Sequence, residues 1–341
     1  MLCSIAYIRR FYVILSSVIN AANMNFRTIV DIPLLPCKLR PQAKFMCIGS
    51  CFAQEMGDRM IGSLPSANVL VNPNGVLYNP ASISMLLESL TRDSFCFDSA
   101  IFHGRDGLWH SWLHTSKFVE ENRERLSSRL EQIYKDSKSF LKHSNFLIIT
   151  WGTSHVYMLR DSSHFIVSNC HKENPEKFRE CRLTVEEILH DYIALIKKLH
   201  QINPELQIVI SVSPYRYSKL GYNGSNTSKA ILLLAAEQLC SMFDNVIYFP
   251  AYEILKDELR DYRFYASDML HPSELAVDYI WERFKTFCFS DDLISFANDM
   301  QKLHKALRHK VENNASLDYE KFVSKIEILK KNIEQKWKIS I

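Results

Sequence analysis

Lys44-Phe45-Met46-Cys47-Ile48-Gly49-Ser50-Cys51-Phe52-Ala53 is an apolar run that breaks at a glycine and then continues with helical spacing as far as Leu64. A short, unbroken apolar run reads as a strand buried on both faces, and the change of period after it reads as a helix start. Gly49-Ser50-Cys51 therefore falls at a strand-to-helix turn. The first amides of a helix have no partner within it and can bind an anion. The turn delivers two side chains capable of nucleophilic attack, Ser50 and Cys51.

Outward from this turn the same pattern repeats. Phe146 to Trp151 is a continuous apolar strand ending at Gly152, Gln207 to Ser213 is another stopped by Pro214, and Val246 to Phe249 is a shorter one. Helical patterns cover residues 118–142, Leu183 to Leu199, Asn226 to Met242 and Ala276 to Phe287. Asn79 is placed to cap a further helix, with Pro80 in its first turn. Buried strands alternating with helices predict an α/β chain, a three-layer α/β/α sandwich on a central parallel sheet. In such sheets ligands bind beyond the carboxyl ends of the strands, where Gly49-Ser50-Cys51, Gly152-Thr153 and Ser213-Pro214 all lie. Residues 24–290 read as the main domain, and 291–341 as a lysine-rich C-terminal helical extension.

Far from the first turn stands Asp268-Met269-Leu270-His271-Pro272, a carboxylate three residues before a histidine. A hydroxyl or thiol is a weak nucleophile at neutral pH until a base takes its proton, and a third group improves the base by fixing its tautomer. Cys51 or Ser50, His271 and Asp268 supply those parts. The competing readings are a packing residue for Cys51 and a satisfied histidine at a helix start for His271. If Cys51 is the nucleophile, a helix N-terminus and a neighbouring imidazole would favour its thiolate.

Composition limits the alternatives. With 341 residues, 47% hydrophobic, 23% charged and a formal charge of +3, the chain gives no reason to expect nucleic acid as a partner. Nine cysteines without a CxxC pair fit a reduced, cytoplasmic setting better than a disulfide framework. Residues 1–23, with Arg9-Arg10 before an apolar run, read either as an extension upstream of a start at Met24 or as an export signal. That run is too short to span a bilayer, so no membrane span is expected. His110, His114, His155 and His171, with Cys170, lack the tight spacing of a metal site, and no metal or cofactor is expected. Trp109, Trp112, Trp151, Tyr262, Phe264 and Tyr265 read as core in preference to a sugar platform.

Gly49-Ser50-Cys51-Phe52-Ala53 resembles the signature of the GSCFA family, which sits among the SGNH (GDSL-like) hydrolases. The likeness extends through Asn72 to Pro80, Trp151-Gly152-Thr153, Ser168 to Lys172, Ser213 to Arg216, Asn226 to Ala230, Phe249 to Ile254 and Asp268 to Ser273. It implies that Cys51 occupies the nucleophile position, Ser50 the preceding aspartate position, and Asp268 and His271 the late Asp-x-x-His. It also implies that Gly49 and Gly75 lie at the oxyanion site. The third block departs from the group: Gly152-Thr153-Ser154-His155 lacks the asparagine that would donate to the oxyanion, leaving Asn169 or Asn226 to replace it. Arg216 is suited to an anionic group on the substrate or to a structural ion pair. The resemblance implies an acyl-ester hydrolase or acyltransferase acting on a small-molecule or carbohydrate ester. The alternative is a non-catalytic module binding a glycan or acyl ligand.

Overall fold

The computed structural model describes residues 27–33, 35, 38–161, 165–308 and 317–341, so the segment 1–23 lies outside the described residues. The chain opens with β1 (Phe45–Gly49), α1 (Cys51–Ile61), β2 (Val69–Val71) and α2 (Pro80–Thr91). A hairpin of β3 (Ile101–His103) and β4 (Trp109–Ser111) precedes α3 (Arg123–Lys142) and β5 (Phe146–Trp151). Then come β6 (His155–Leu159), β7 (Ile166–Val167), β8 (Phe178–Arg182) and α4 (Val185–Ile202). The last elements are β9 (Gln207–Val212), α5 (Gly221–Met242), β10 (Val246–Phe249), α6 (Glu274–Cys288), α7 (Asp291–Arg308) and α8 (Leu317–Trp337).

The central sheet has five parallel strands in the order β10-β9-β5-β1-β2. Every residue of β1 and β5 is buried, as unbroken apolar runs require when helices cover both faces. Alternate side chains face opposite layers. Met46, Ile48, Leu147, Ile149, Ile208 and Ile210 join the core that packs on α2, α3, α4 and α5. Phe45, Cys47, Phe146, Ile148 and Val209 face the other way, toward α1, α6 and α7. The α/β/α expectation is met.

The two C-terminal helices extend this second core. Leu293, Phe296 and Met300 of α7 and Ile333 of α8 are buried in it with Phe45. Asp299 also accepts hydrogen bonds from Lys336 at 2.7 Å and Trp337 at 3.2 Å. No helix among the described residues is long and apolar enough to cross a membrane.

Local boundaries follow hydrogen bonding. Asn79 caps α2 by accepting from Ser82 N–H at 2.8 Å, with Pro80 in the first turn as expected. The helix expected over 118–142 starts only at Arg123. Glu120 is paired through its backbone with Trp109, and the Asn122 side chain then caps the helix. Three strand sets were not anticipated: β2, the β3–β4 hairpin, and the antiparallel sheet β7-β6-β8. Each is too short to show a period against its surroundings, except β6 and β8 at five residues each, whose pairing is with each other.

Candidate active site

The chain enters the sheet at β1, steps to β2 on one side, and then returns to build β5, β9 and β10 on the other. The crossovers thus diverge between β1 and β5, and the crevice at such a reversal is where open α/β sheets bind ligands. Gly49-Ser50-Cys51 leaves the end of β1, Gly152-Thr153 the end of β5, and Ser213-Pro214 the end of β9.

Gly49 has φ +143°, and a Cβ there would lie 2.2 Å from the Thr150 carbonyl oxygen on the neighbouring strand. Only glycine permits that approach at that φ. The sharp exit places Ser50 at the N-cap of α1 and Cys51 at its first position. Ser50 is buried, its hydroxyl makes no capping bond, and among the described residues Oγ has no hydrogen-bond partner. Cys51 is half-buried, and its Sγ lies 3.3 Å from the Tyr78 hydroxyl. Burial and the neighbouring thiol both raise the Tyr78 phenol pKa, so the hydroxyl keeps its proton and is available to donate to a thiolate at Cys51.

Asp268 and His271 form a local unit. Asp268 Oδ1 accepts from the backbone N–H of Leu270 at 2.9 Å and of His271 at 3.0 Å. Met269, at φ +57°, provides the bend between them. Asp268 Oδ2 lies 2.5 Å from His271 Nδ1. This contact assigns the ring proton to Nδ1 and leaves Nε2 as the basic nitrogen. The hydrogen bond to His271, with those to the two amides, holds the Asp268 carboxyl down at about 2. A carboxylate depressed in this way adds stability above its ordinary pKa of about 4, and that contribution is lost as pH falls through about 2. The Tyr215 ring packs on His271 with centroids 4.4 Å apart.

Cys51, Tyr215 and His271 line two cavities in common, of about 410 and 470 Å³. The first runs past Thr153, Val167 and Tyr217, with Asn169 on its wall. The second opens past Phe52, Glu55 and Arg59. Nucleophile candidate and imidazole therefore face the same space, although 220 residues separate them in the chain.

Several residues expected at the oxyanion site are engaged elsewhere. The Gly49 amide donates to Asn72 Oδ1 at 2.9 Å and the Gly75 amide to the Asn72 carbonyl at 2.8 Å. The Gly152 amide donates to the Tyr78 carbonyl at 2.8 Å, and the Ser50 amide to the Thr150 carbonyl at 3.1 Å. Gly49 and Gly75 shape the backbone here and do not donate into the cavity. The donors that the turn leaves uncapped belong to the first turn of α1, beginning at Cys51 and Phe52. Asn169 does reach the cavity, with its carboxamide oxygen accepting from His171 N–H at 2.7 Å. Asn226 and Arg216 line a different cavity. Arg216 supports the histidine loop from behind: its N–H donates to the Leu270 carbonyl at 3.0 Å and Nη1 to the Met269 carbonyl at 3.4 Å. Among the histidines weighed for metal, burial lowers His114 to about 3 and His171 to about 4, which keeps both rings neutral. Among the described residues, no group of three or more such side chains is arranged to hold a metal ion.

Tyr78 and Tyr215 were not singled out from the sequence, and neither was Lys229. Lys229 lies in α5 and is only 2% exposed. Its Nζ donates to the carbonyls of Gly152 at 2.6 Å and Ser213 at 2.7 Å, tying together the exits of β5 and β9. Burial lowers this ammonium to about 7. An unfolded chain would keep the proton up to about 10.4, so between these values the unfolded state binds more protons and stability rises with pH. Below pH 7 both states are protonated and the effect is flat. Chemical denaturation should therefore show wild type gaining up to about 3 kcal/mol on Lys229→Met between pH 7 and 9.5, less what the two carbonyls return to the ammonium. Parallel stability profiles for the two proteins would show that Lys229 is not perturbed.

Comparison with known proteins places this geometry in context. The family model described as "GSCFA family" matches residues 44–284. No curated protein matches the chain in sequence. Among solved structures, it is similar to a carbohydrate esterase family 3 protein from Talaromyces cellulolyticus, at 8% identity and a TM-score of 0.26, over 47% of this chain and 63% of that one. It is similar to a family two carbohydrate esterase from Clostridium thermocellum, solved with cellohexaose, at 12% identity and a TM-score of 0.34. That match covers 74% of this chain and 66% of the other. The acetyl xylan esterase Est2A from the rumen bacterium Butyrivibrio proteoclasticus gives 13% identity and a TM-score of 0.31, over 74% of this chain and 64% of that one. The chain spans less than two thirds of each of these proteins.

Proposed function

The chain belongs to the GSCFA family, and from that premise we propose that it is an acyl-ester hydrolase or acyltransferase whose nucleophile is Cys51. The observation that carries this reading is the Asp268–His271 pair, closed at 2.5 Å, on the cavities that Cys51 also lines. His271 Nε2 takes the proton from Cys51 Sγ as sulfur attacks the acyl carbonyl. The imidazolium then returns that proton to the departing alkoxide, leaving a thioester on Cys51. Water, or an acceptor alcohol, gives its proton to His271 and attacks the thioester, which releases the acid or a new ester and restores the thiol. Asp268 fixes the tautomer and stabilises the imidazolium. The amides of Cys51 and Phe52, with the carboxamide of Asn169, are the donors for the oxyanion. Carbohydrate esters are the substrate class to which the wider SGNH resemblance points.

Ser50 also lines the 410 Å³ cavity but is only 3% exposed, whereas Cys51 is half-buried and lines both cavities, so Cys51 is the better placed of the two to attack. Burial pushes the Cys47 thiol up to about 12 and those of Cys170 and Cys240 to about 11, which makes them poor competitors for an alkylating agent. Iodoacetamide should therefore modify Cys51 ahead of the other eight cysteines, and His271→Ala should slow that labelling. Tyr78→Phe, which removes the hydroxyl 3.3 Å from sulfur, should slow it by roughly 10-fold if that hydroxyl stabilises the thiolate. Mass spectrometry of partially labelled protein reads all three. If Cys51 stays unmodified while Ser50 takes up a fluorophosphonate probe, the nucleophile is Ser50.

A second reading, a non-catalytic module that binds an acyl or glycan ligand, draws on the engaged amides of Gly49, Gly75 and Gly152. Ligand binding that survives Cys51→Ala and His271→Ala, with no turnover of small acetyl or butyryl esters, would favour it.

A further inference from the structure

A third cavity, of about 330 Å³, shares Tyr215 with both active-site cavities. Three cationic side chains, Arg216, Lys256 and Arg260, line it together with the buried Lys229, whose Nζ is taken by the Gly152 and Ser213 carbonyls. Among the described residues, none of the three makes an ion pair with a carboxylate. The one acidic group on its wall, Asp261, is turned to its own loop: Oδ1 accepts from Arg263 N–H at 2.9 Å and Oδ2 lies 3.9 Å from Arg263 Nε. Three like charges in one concavity with a single carboxylate on its wall repel each other, and they create a net positive potential that an anion relieves.

The rest of the wall is aromatic. The Arg216 guanidinium lies 4.4 Å over the Tyr222 ring and 5.3 Å from that of Tyr265, so its plane is held for recognition of a carboxylate or phosphate. Lys256 is held 5.2 Å over Tyr252. Tyr262 is 72% exposed and Tyr222 54% exposed, at a place where large apolar side chains have no structural reason to face water. Of the aromatic residues read from the sequence as core, Trp112 and Trp151 are buried, whereas Tyr262 is not. Flat, exposed tyrosine rings beside fixed cations suit a ligand with an apolar ring face and a negative charge.

We propose that this cavity binds an anionic saccharide, a sugar bearing a carboxylate or phosphate, held by Arg216, Lys256 and Arg260 with its ring against Tyr262. The proposal deepens the esterase reading by naming the alcohol part of the substrate. Arg216 also donates to the carbonyls of Met269 and Leu270, so an occupant sits directly behind the loop that carries His271.

Calorimetric titration of the intact protein with unacylated sugars tests this without any turnover, so a failure here is separable from a failure of the catalytic assignment. The probes are glucuronate, glucose 6-phosphate, glucose and inorganic phosphate. At least one charged sugar should bind ~10-fold or more tightly than glucose, weaken with added salt, and lose about 10-fold in affinity in the exposed-site double variant Lys256→Gln/Arg260→Gln. Tyr262→Ala should weaken the charged sugar and leave inorganic phosphate unchanged. No heat from either charged sugar, equal binding of glucose, or undiminished binding by the double variant would overturn the proposal. Inorganic phosphate binding as tightly as glucose 6-phosphate would overturn its saccharide part.

Discussion

Replacing His271 by alanine is expected to reduce turnover of a small acyl ester by roughly 10⁴-fold, and Cys51→Ala should do the same. In the proposed mechanism the two side chains share one proton transfer, so the double variant should be little worse than either single one. Asp268→Asn should fall between, at roughly 10²- to 10⁴-fold, because a carboxamide can still accept the amides of Leu270 and His271 but no longer stabilises an imidazolium. Asp268 is held at about 2, so it remains charged through the whole range in which an esterase would be assayed. Steady-state rates with acetyl and butyryl esters, across pH 5 to 9, check this set. Equal turnover by wild type and His271→Ala would remove the histidine from the mechanism.

Gly49→Ala should fail in a different way. Its Cβ would sit 2.2 Å from the Thr150 carbonyl oxygen, at a φ of +143° that L-residues avoid. Neither contact can relax cheaply, since Thr150 is backbone in the strand paired with β1. The expected loss is on the order of 4 kcal/mol, a fall in Tm of roughly 8 °C or more. Gly107→Ala is the control. It also has positive φ, +81°, but nothing lies within 4 Å of the added methyl, so it should cost about 1 kcal/mol. If Gly49→Ala melts with wild type, the close approach of β1 to β5 is not what requires glycine there.

The local parts of this site were legible because their causes are local. Unbroken apolar runs marked β1, β5, β9 and β10, since a strand covered on both faces has no polar side to show. Asp268 and His271 stand three residues apart, so a single turn brings carboxylate and imidazole together whatever the rest of the chain does. Asn79 before Pro80 signalled its helix start for the same reason.

What the sequence could not disclose depends on partners distant in the chain. Whether the Gly49, Gly75 and Gly152 amides donate into the cavity was settled by Asn72 and Tyr78, whose oxygens take them. Tyr78 meets Cys51 across 27 residues and Lys229 meets Gly152 across 77, separations at which no residue pattern records a contact. The sequence alone determined four strands of the central sheet, the helices between them and which residues could do chemistry, because periodicity and short-range spacing fix burial and local pairing. Only the tertiary structure decided that Ser50, Cys51 and His271 come to line one cavity, which amides are engaged around it, and where Arg216 points. Those outcomes rest on how strand ends far apart in the chain meet at the crevice between β1 and β5.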